Sequence, residues 1–597
     1  MALLLAPAGS PEALRAAIAA GADEVYLGGG RFNARAGARN FTHEQLVAAG
    51  QSCRDAKVRL LYTLNTLLFD RELSDVLEEV AFLQKEVAPD AYIVQDLGLA
   101  KRMKERFPEV VLHASTQMRI HSSTGGRLLK QMGFSRVVLA REMAKEDIAS
   151  FVQNAGVESE VFIHGALCVC ESGGCLLSAM IGRRSGNRGE CAQPCRLPYR
   201  GKEPYPLSLK DNCLAAYVNQ LADLGVGALK IEGRMKSPDY VYTVTSCYRR
   251  LLDEKRLPTE AEIQTLQHTF SRSGFTAGYY EKRVNDEMFG VRREEDIRHS
   301  EDIRRSEDIR HPEDIRLSAL PKRSSAPEPE TPLPFSLPEK DPARLLSPKE
   351  QLGYVARFEG AFPRSFAPFA DAARIDLPLW RLEKADISGL EETVSAILPR
   401  VVFDREEADV RRLLEKAWSR GVRRVTIPGL SLLPMAEKFR LHGDYPLNVS
   451  NRETLHVLEG YSFSSLFLSP EAEQDSFGFT PMALETLGYG RLPLMHTETC
   501  LVRRVRGTCE KQGKQPCQAM LTDRVGACFP VIRTYGHRTL LYNSLPTYRL
   551  DKRKALRKGG VGLLTLLFTV ENEGEMLRIR ERFLASASPE GLVFTRR

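Results

Sequence analysis

An α/β fold with a TIM-barrel-like (β/α)8 domain over residues 1–290 is what the first half of this chain predicts. Three observations predict it. Short β-rich runs alternate with amphipathic stretches of helical period. The runs are apolar enough to be parallel strands buried on both faces. Polar residues recur just after them, where a barrel gathers its chemistry.

In order, the candidate strands are LLLAPA from Leu3, EVYLGG from Glu24, VRLLYTLN from Val58, AYIVQD from Ala91, VVLHAS from Val110, RVVLAR from Arg136, EVFIHG from Glu160, YPLSLK from Tyr205 and ALKIEG from Ala228. Parallel strands joined by right-handed helical crossovers are the economical topology, and this many in one run close into a barrel. Nine candidates exceed eight, so YPLSLK is expected to be a loop or an added strand.

The strand ends carry Tyr26, Asn33 and Arg35, then Asn65, then Gln95 and Asp96, then His113, Ser115, Gln117 and Arg119. Further along come Arg141 and Glu142, His164, Lys210 and Asp211, and then Lys230, Glu232, Arg234 and Lys236. Singly, each reads equally well as a loop cap or a solvent-facing group; their recurrence in successive units is the stronger fact. His113, His164, Lys210, Glu232 and Arg234 are the candidates for proton transfer and charge stabilisation. Asn33, Arg35, Asn65, Gln117 and Lys236 are candidates for substrate binding. From Leu252 to Tyr280 a helix and the turn FSRSGFTAGYY close the domain, with Phe270, Arg272 and Phe275 available to line the pocket mouth.

Residues 291–345 change character: EDIR recurs at 295, 301, 307 and 313, and a Pro-rich tail follows. A six-residue period fits neither a heptad nor a 3.6-residue stripe, so an extended or irregular linker is expected. After it, GYVARFEG from Gly353, ARIDLPL from Ala373, RVVFDR from Arg400, RVTIPG from Arg424, YPLNVSN from Tyr445, FSSLFLSPE from Phe463 and RLPLMHTETC from Arg491 resume the first rhythm. LHASTQMRI answers LNVSNRETL, FSRVVLARE answers FSSLFLSPE, VFIHGALC answers LPLMHTETC, and LSLKDNC answers MLTDRVGAC. This is an internal duplication. Residues 346–530 are expected to be a diverged second barrel-like copy that need not close, and 531–597 a small β-rich region ending in a strand and a closing helix.

The net charge of +7, from 84 basic and 77 acidic residues, permits nucleic-acid contact without arguing for it. The first residues lack the basic start and long apolar run of a secretory signal, and no stretch has the composition of a membrane span. A cytoplasmic, thiol-preserving location is expected, where clustered cysteines are metal ligands or reactive groups sooner than disulfides.

Six of the twelve cysteines fall between Cys168 and Cys213. Thiolates select zinc or an iron-sulfur cluster over calcium or magnesium. No close CxxC pair of the structural-zinc kind occurs; Cys168, Cys175, Cys191 and Cys213 are spaced by 7, 16 and 22, as if gathered from separate loops around something larger. Buried inert cysteines are the plain alternative, a CxxxC zinc or redox pair at Cys191 and Cys195 another. Cys195 is the main rival for a ligand place and Cys170 the lesser one. Between Cys175 and Cys191, Arg183, Arg184 and Arg188 interleave with glycines, which suits an anionic substrate or an RNA backbone. Cys500, Cys509, Cys517 and Cys528 make a candidate second four-thiolate set, against the reading of a relic set.

EVFIHGALCVCESGGCLLSAMIGRRSGNRGECAQPCRLPY, with LSLKDNC, LKIEGRMKSPDYV and SGFTAGYY, resembles the collagenase-like U32 peptidase family, of unassigned catalytic type. The linker and second half look like its longer members, whose role is hydroxylation of a cytidine in large-subunit ribosomal RNA. Shorter relatives hydroxylate the tRNA wobble uridine or act in oxygen-independent ubiquinone hydroxylation. The resemblance implies a [4Fe-4S] cluster held by Cys168, Cys175, Cys191 and Cys213, and a second one if the later set is real. It implies prephenate as co-substrate, a small anionic metabolite whose carboxylates suit Arg35, Arg183, Arg184 or Arg234. It further implies an electron donor and RNA as partner, ribosomal before transfer RNA, with no membrane. The EDIR segment departs from the well-formed intermediate domain expected of the long relatives. Peptidase activity is the rival: no GxSxG elbow or HExxH helix is present, and a thiol protease would need a clustered cysteine with His113 or His164 as base.

Overall fold

The computed structural model describes residues 2–292, 325–338, 352–474, 476–478, 480–508 and 517–585. The chain divides into two compact units, one of residues 1–198 and 205–336, the other of residues 199–204 and 337–597. The EDIR repeat and Cys509 lie outside the described residues.

In the first unit eight parallel strands, Leu3–Pro7, Glu24–Leu27, Arg59–Leu64, Ala91–Val94, Leu112–Ala114, Phe134–Val138, Glu158–Gly165 and Ala228–Ile231, pair in chain order, and the last pairs with both the first and the seventh to close the barrel. The crossover helices owe their starts to side-chain caps: Ser10, Thr42, Asp96, Ser122 and Ser237 each accept a backbone N–H of the first turn. YPLSLK makes no barrel strand. The residues just after it form the short strand Asp211–Cys213, added antiparallel to the seventh strand with Cys213 opposite His164, and Phe275–Thr276 adds to that.

The barrel interior is charged at its lower end. Glu24, Arg59 and Glu158 open their strands, and Arg136 and Glu160 lie one turn of the pleat higher. Arg136 meets Glu24 at 2.6 Å and Glu158 at 3.1 Å, Arg59 meets Glu24 at 2.8 Å, and Lys230 meets Glu160 at 2.7 Å. Pairing of this density is what permits so many charges inside. Residues 325–338 run without regular structure, as expected of the linker, and Glu330 inserts into this lower end. There it accepts from Ser135 at 2.6 Å and Arg136 at 3.2 Å, pairs with His113 Nε2 at 2.8 Å, and contacts Arg59.

The second unit closes too. Its eight parallel strands are Gly353–Phe358, Arg374–Pro378, Val394–Ile397, Arg424–Ile427, Arg440–Gly443, Ser465–Phe467, Ala483–Gly490 and Val561–Phe568. The closing strand and the helix Glu573–Ala585 come from the end of the chain, after a five-stranded antiparallel sheet made of Pro493–Thr497, Thr539–Tyr542, Cys528–Arg533, Gln518–Asp523 and the excursion Tyr199–Arg200. Three expectations need correcting here. The third strand is VSAI, and of RVVFDR the first four residues are a loop and the last two open the helix Asp404–Ser419. The fifth is RLHG, and YPLN is a 3-10 turn. RLPLMHT belongs to the antiparallel sheet, the seventh barrel strand being ALETLGYG.

Candidate active site at the mouth of the first barrel

At the upper end of the first barrel, Glu232 follows the last strand and is clamped by two arginines. One oxygen accepts from Arg35 at 3.0 and 3.2 Å, the other from Arg141 at 3.2 Å. Burial alone would raise the Glu232 pKa, but Arg35 and Arg141 outweigh it and hold it below the ordinary value. Arg141 also lies 3.6 Å from Cys168 Sγ and stacks over Phe162. The loop carrying Arg35 is set by amides: Asn65 accepts from Ala34 N at 3.0 Å and Asn33 from Arg35 N at 2.9 Å.

The cysteines come from the long loop after the strand Glu158–Gly165. Burial raises the Cys191 thiol, and Cys175 and Cys168 raise it further. Cys195 is pushed up to about 12, by burial first, with Arg196 opposing and Cys168, Cys175 and Cys191 adding. These four thiols therefore occupy one neighbourhood, with Arg35, Arg141 and Arg196 around it. Cys213 is opposite His164 with its Sγ 3.6 Å from the Tyr248 hydroxyl; burial raises its pKa, and hydrogen bonds from the Ala215 backbone and Tyr248 oppose the rise. The donor chemistry fits a soft, thiolate-bound group. Among the described residues no three His, Cys, Asp or Glu side chains converge to hold a single metal ion, and none of the described cysteines forms a disulfide.

The remaining candidates divide by place. Arg234 is buried in a hub, donating to Asn33 and Thr63 at 3.0 Å and to Asn40 at 2.5 Å, so it shapes the mouth from beneath. His164 is buried in an aromatic cage of Tyr240, Tyr248 and Phe275, its Nδ1 3.2 Å from the Tyr248 hydroxyl; burial drops its pKa to about 3. His113 does not reach the mouth, because its Nε2 is taken by Glu330 at the lower end. Lys236 lies over the Phe270 ring, and burial, reinforced by Arg272, brings its pKa down to about 7. Lys210 joins the edge of the domain, its N–H bonded to Met288 O, while Arg272 pairs with Asp211. Gln117 sits in the turn Thr116–Met118 with an unbonded buried Oε1, and its backbone abuts Gly173.

Of the loop arginines, Arg188 is committed to a fork with Glu72 at 2.7 and 2.9 Å and to stacking on Phe69. Arg183 and Arg184 remain exposed. Of the second cysteine set, Cys517 and Cys528 lie apart. Cys528 pairs across from Thr522, whereas Cys517 precedes Gln518 at the other end of that strand. Five residues of strand separate them, about 17 Å. The sequence places Arg141 at the end of the run RVVLAR among the strand-end residues but assigns it no role. Tyr248, in mid-helix, and Glu330, in a Pro-rich stretch, carried no local signal.

Residues 9–289 match the model of peptidase family U32. The chain is 40% identical over 259 residues to the 23S rRNA 5-hydroxycytidine C2501 synthase of Escherichia coli, covering 42% of this chain and 39% of that protein. It is 35% identical to tRNA hydroxylation protein P1 of Bacillus subtilis, covering 42% of this chain and 63% of that one. It is also 35% identical to a collagenase of Porphyromonas gingivalis, covering 46% of this chain and 73% of that one. The chain thus spans well under two thirds of the rRNA enzyme it resembles. With a matching family model over that barrel and most of a collagenase relative covered, the chain belongs to peptidase family U32.

Proposed function

We propose that the first barrel supports hydroxylation of a base in RNA, a cytidine of large-subunit ribosomal RNA in the first instance, in the cytoplasm. The observation that carries this is the mouth itself: four neighbouring thiols beside the Arg35–Glu232–Arg141 clamp, in a chain similar to two proteins named for RNA hydroxylation. Cys168, Cys175, Cys191 and Cys195 would hold a [4Fe-4S] cluster, which supplies electron transfer when bound. The family motif points to Cys213 instead, which would have to leave Tyr248.

Arg35 and Arg141 orient a carboxylate-bearing co-substrate, prephenate in this reading, by giving up part of their hold on Glu232. Glu232 then carries a proton acceptor within the same clamp. Exposed Arg183 and Arg184 receive the RNA backbone, and the target base must be splayed out to reach the mouth.

Peptidase activity has the collagenase relative in its favour. Against it, His164 is neutral and caged, and His113 faces the opposite end of the barrel. The test is mass spectrometry of ribosomal and transfer RNA from a deletion strain complemented with wild type, Cys195→Ser, Cys213→Ser or Glu232→Gln. Loss of one oxygen mass from the rRNA in the deletion is expected, restored by wild type and by Cys213→Ser but not by Cys195→Ser or Glu232→Gln. Unchanged rRNA and tRNA would refute the proposal, and iron counts on the two serine variants decide the fourth ligand.

A further inference from the structure

The lower end of the first barrel holds a carboxylate in a defined way. One oxygen of Glu330 meets His113 Nε2 at 2.8 Å and Ser135 at 2.6 Å, and the other meets Arg136 at 3.2 Å and Arg59. In the second barrel His442 stands where His113 stands and Ser464 where Ser135 stands. His442 is more than nine-tenths buried, and burial, with Arg374 adding, keeps its imidazole neutral. Ser465 Oγ accepts from Arg374 at 3.0 Å and lies 2.9 Å from His442 Nδ1. The hydroxyl proton therefore goes to Nδ1, and the ring carries its own proton on Nε2. Among the described residues that Nε2–H finds no acceptor.

Two arginines open the strands at this end. Arg424 and Arg440 are register partners on neighbouring parallel strands, two residues below the partners Thr426 and His442. Thr426 reaches Asp376 and His442 reaches Ser465 inside the barrel, so alternation along each strand puts both arginines on the inner face as well. Ala91 and Val111, core residues of the first barrel, stand at these two places. Like charges on neighbouring strands repel. Arg424 is half-buried and donates to Ala373 O at 2.9 Å, Arg440 is exposed, and among the described residues neither has an acidic partner within ion-pair distance. Asp376, Asp444 and Glu485 are engaged by Arg357 and Arg374. Burial, Arg440 and Arg374 lower the Arg424 pKa; exposed Glu392 opposes them without forming an ion pair.

We propose that the lower end of the second barrel binds a carboxylate between Arg424, Arg440 and His442 Nε2. These three groups offer donors only, and an ionised carboxylate only accepts. Glu330 shows the mode in the same chain, with one oxygen on the histidine and the other on the arginines. The carboxylate belongs either to a small organic acid or to an acidic side chain on extended chain, as Glu330 does. The site lies opposite the strand ends where this fold places its chemistry, and it does not rest on the function proposed for the first barrel.

The test uses the full-length protein and the reagent phenylglyoxal, with adducts at each arginine read by peptide mass spectrometry. A bound carboxylate should slow modification of Arg440 and Arg424 several-fold and leave exposed Arg364 unaffected. Protection by succinate assigns a small organic acid. Protection by the peptide APEPETP, copied from residues 326–332, without protection by succinate assigns an acidic side chain. Equal rates with and without both would overturn the proposal, and so would protection by inorganic phosphate alone. In the R440Q protein the protecting carboxylate should no longer slow modification of Arg424. Undiminished protection of Arg424 in a folded R440Q protein would equally overturn the site, and if that variant fails to fold, the protection experiment on the wild-type chain decides.

Discussion

Glu330 is a single carboxylate surrounded by His113, Ser135, Arg136 and Arg59. Burial alone would raise its pKa, but His113, Arg136 and Arg59 hold it far below the ordinary carboxylate value. The sign follows: its stabilisation is fully present above the unfolded pKa, about 4.3, and is lost as pH falls through the lower folded value. Glu330→Gln should therefore cost the first barrel about 2 kcal/mol near neutrality. Hydrogen exchange should quicken in Arg59–Leu64 and Phe134–Val138, and the difference from wild type should shrink in strong acid. An unchanged exchange pattern would mean that the contact contributes nothing. Lys236 works in the other direction. With burial and Arg272 lowering its pKa to about 7, it is charged below that pH and neutral above it. RNA affinity should fall between pH 6 and pH 8 if this ammonium meets the backbone, and Lys236→Arg should flatten the profile by keeping its charge.

At the scale of elements, the first barrel was legible because its strands are apolar runs with a polar residue at the end of each. LLLAP, EVYL and AYIV need nothing else to be recognised. The second barrel was harder for physical reasons. VSAI is short and holds a serine that bonds Thr426 inside the barrel, so no apolar run announced it. ALETLGYG carries Glu485, buried against Arg374 at 2.9 Å, and a buried glutamate breaks the pattern expected of a core strand. The expected match of FSRVVLARE with FSSLFLSPE aligns the sixth strands of the two barrels, whereas those of LHASTQMRI with LNVSNRETL and VFIHGALC with LPLMHTETC lie about six residues late. The structure matches Leu112–His113 with Leu441–His442, each followed by a 3-10 turn, a left-handed residue (Arg119, Asn448) and an N-cap (Ser122, Asn451). Likewise the strand Glu158–Gly165 answers Ala483–Gly490, both ending on a glycine of positive φ, and this removes the homology that linked Cys500, Cys517 and Cys528 to the first set. Iron bound per chain should accordingly be unchanged, within error, in Cys517→Ser and Cys528→Ser proteins and strongly reduced in Cys175→Ser. Loss of half the iron in either of the first two would restore a second cluster.

Over the whole molecule, both barrels solve the same problem in the same way: each fills its interior with arginine and carboxylate where many barrels use branched aliphatics. In the first, Arg136 is held by Glu24, Glu158 and Glu160; in the second, Arg374 and Arg357 are held by Asp376, Glu485 and Asp444. Such a network adds little net stability when intact but is costly to break, since removing one partner strands a charge in the core. Each network is internal to one closed barrel, so damage to it should remain local. Asp376 makes the sharper test, because burial would raise its pKa while Arg374 and Arg357 bring it down to about 2, so it is ionised near neutrality. Asp376→Asn should lower the second barrel's unfolding transition by about 3–5 kcal/mol and leave the first barrel's transition in place, whereas Glu24→Gln should do the reverse. Hydrogen exchange resolved by peptide during a denaturant titration separates the two. If either substitution shifted both barrels together, the molecule would unfold as one cooperative body and the two charged cores would not be independent.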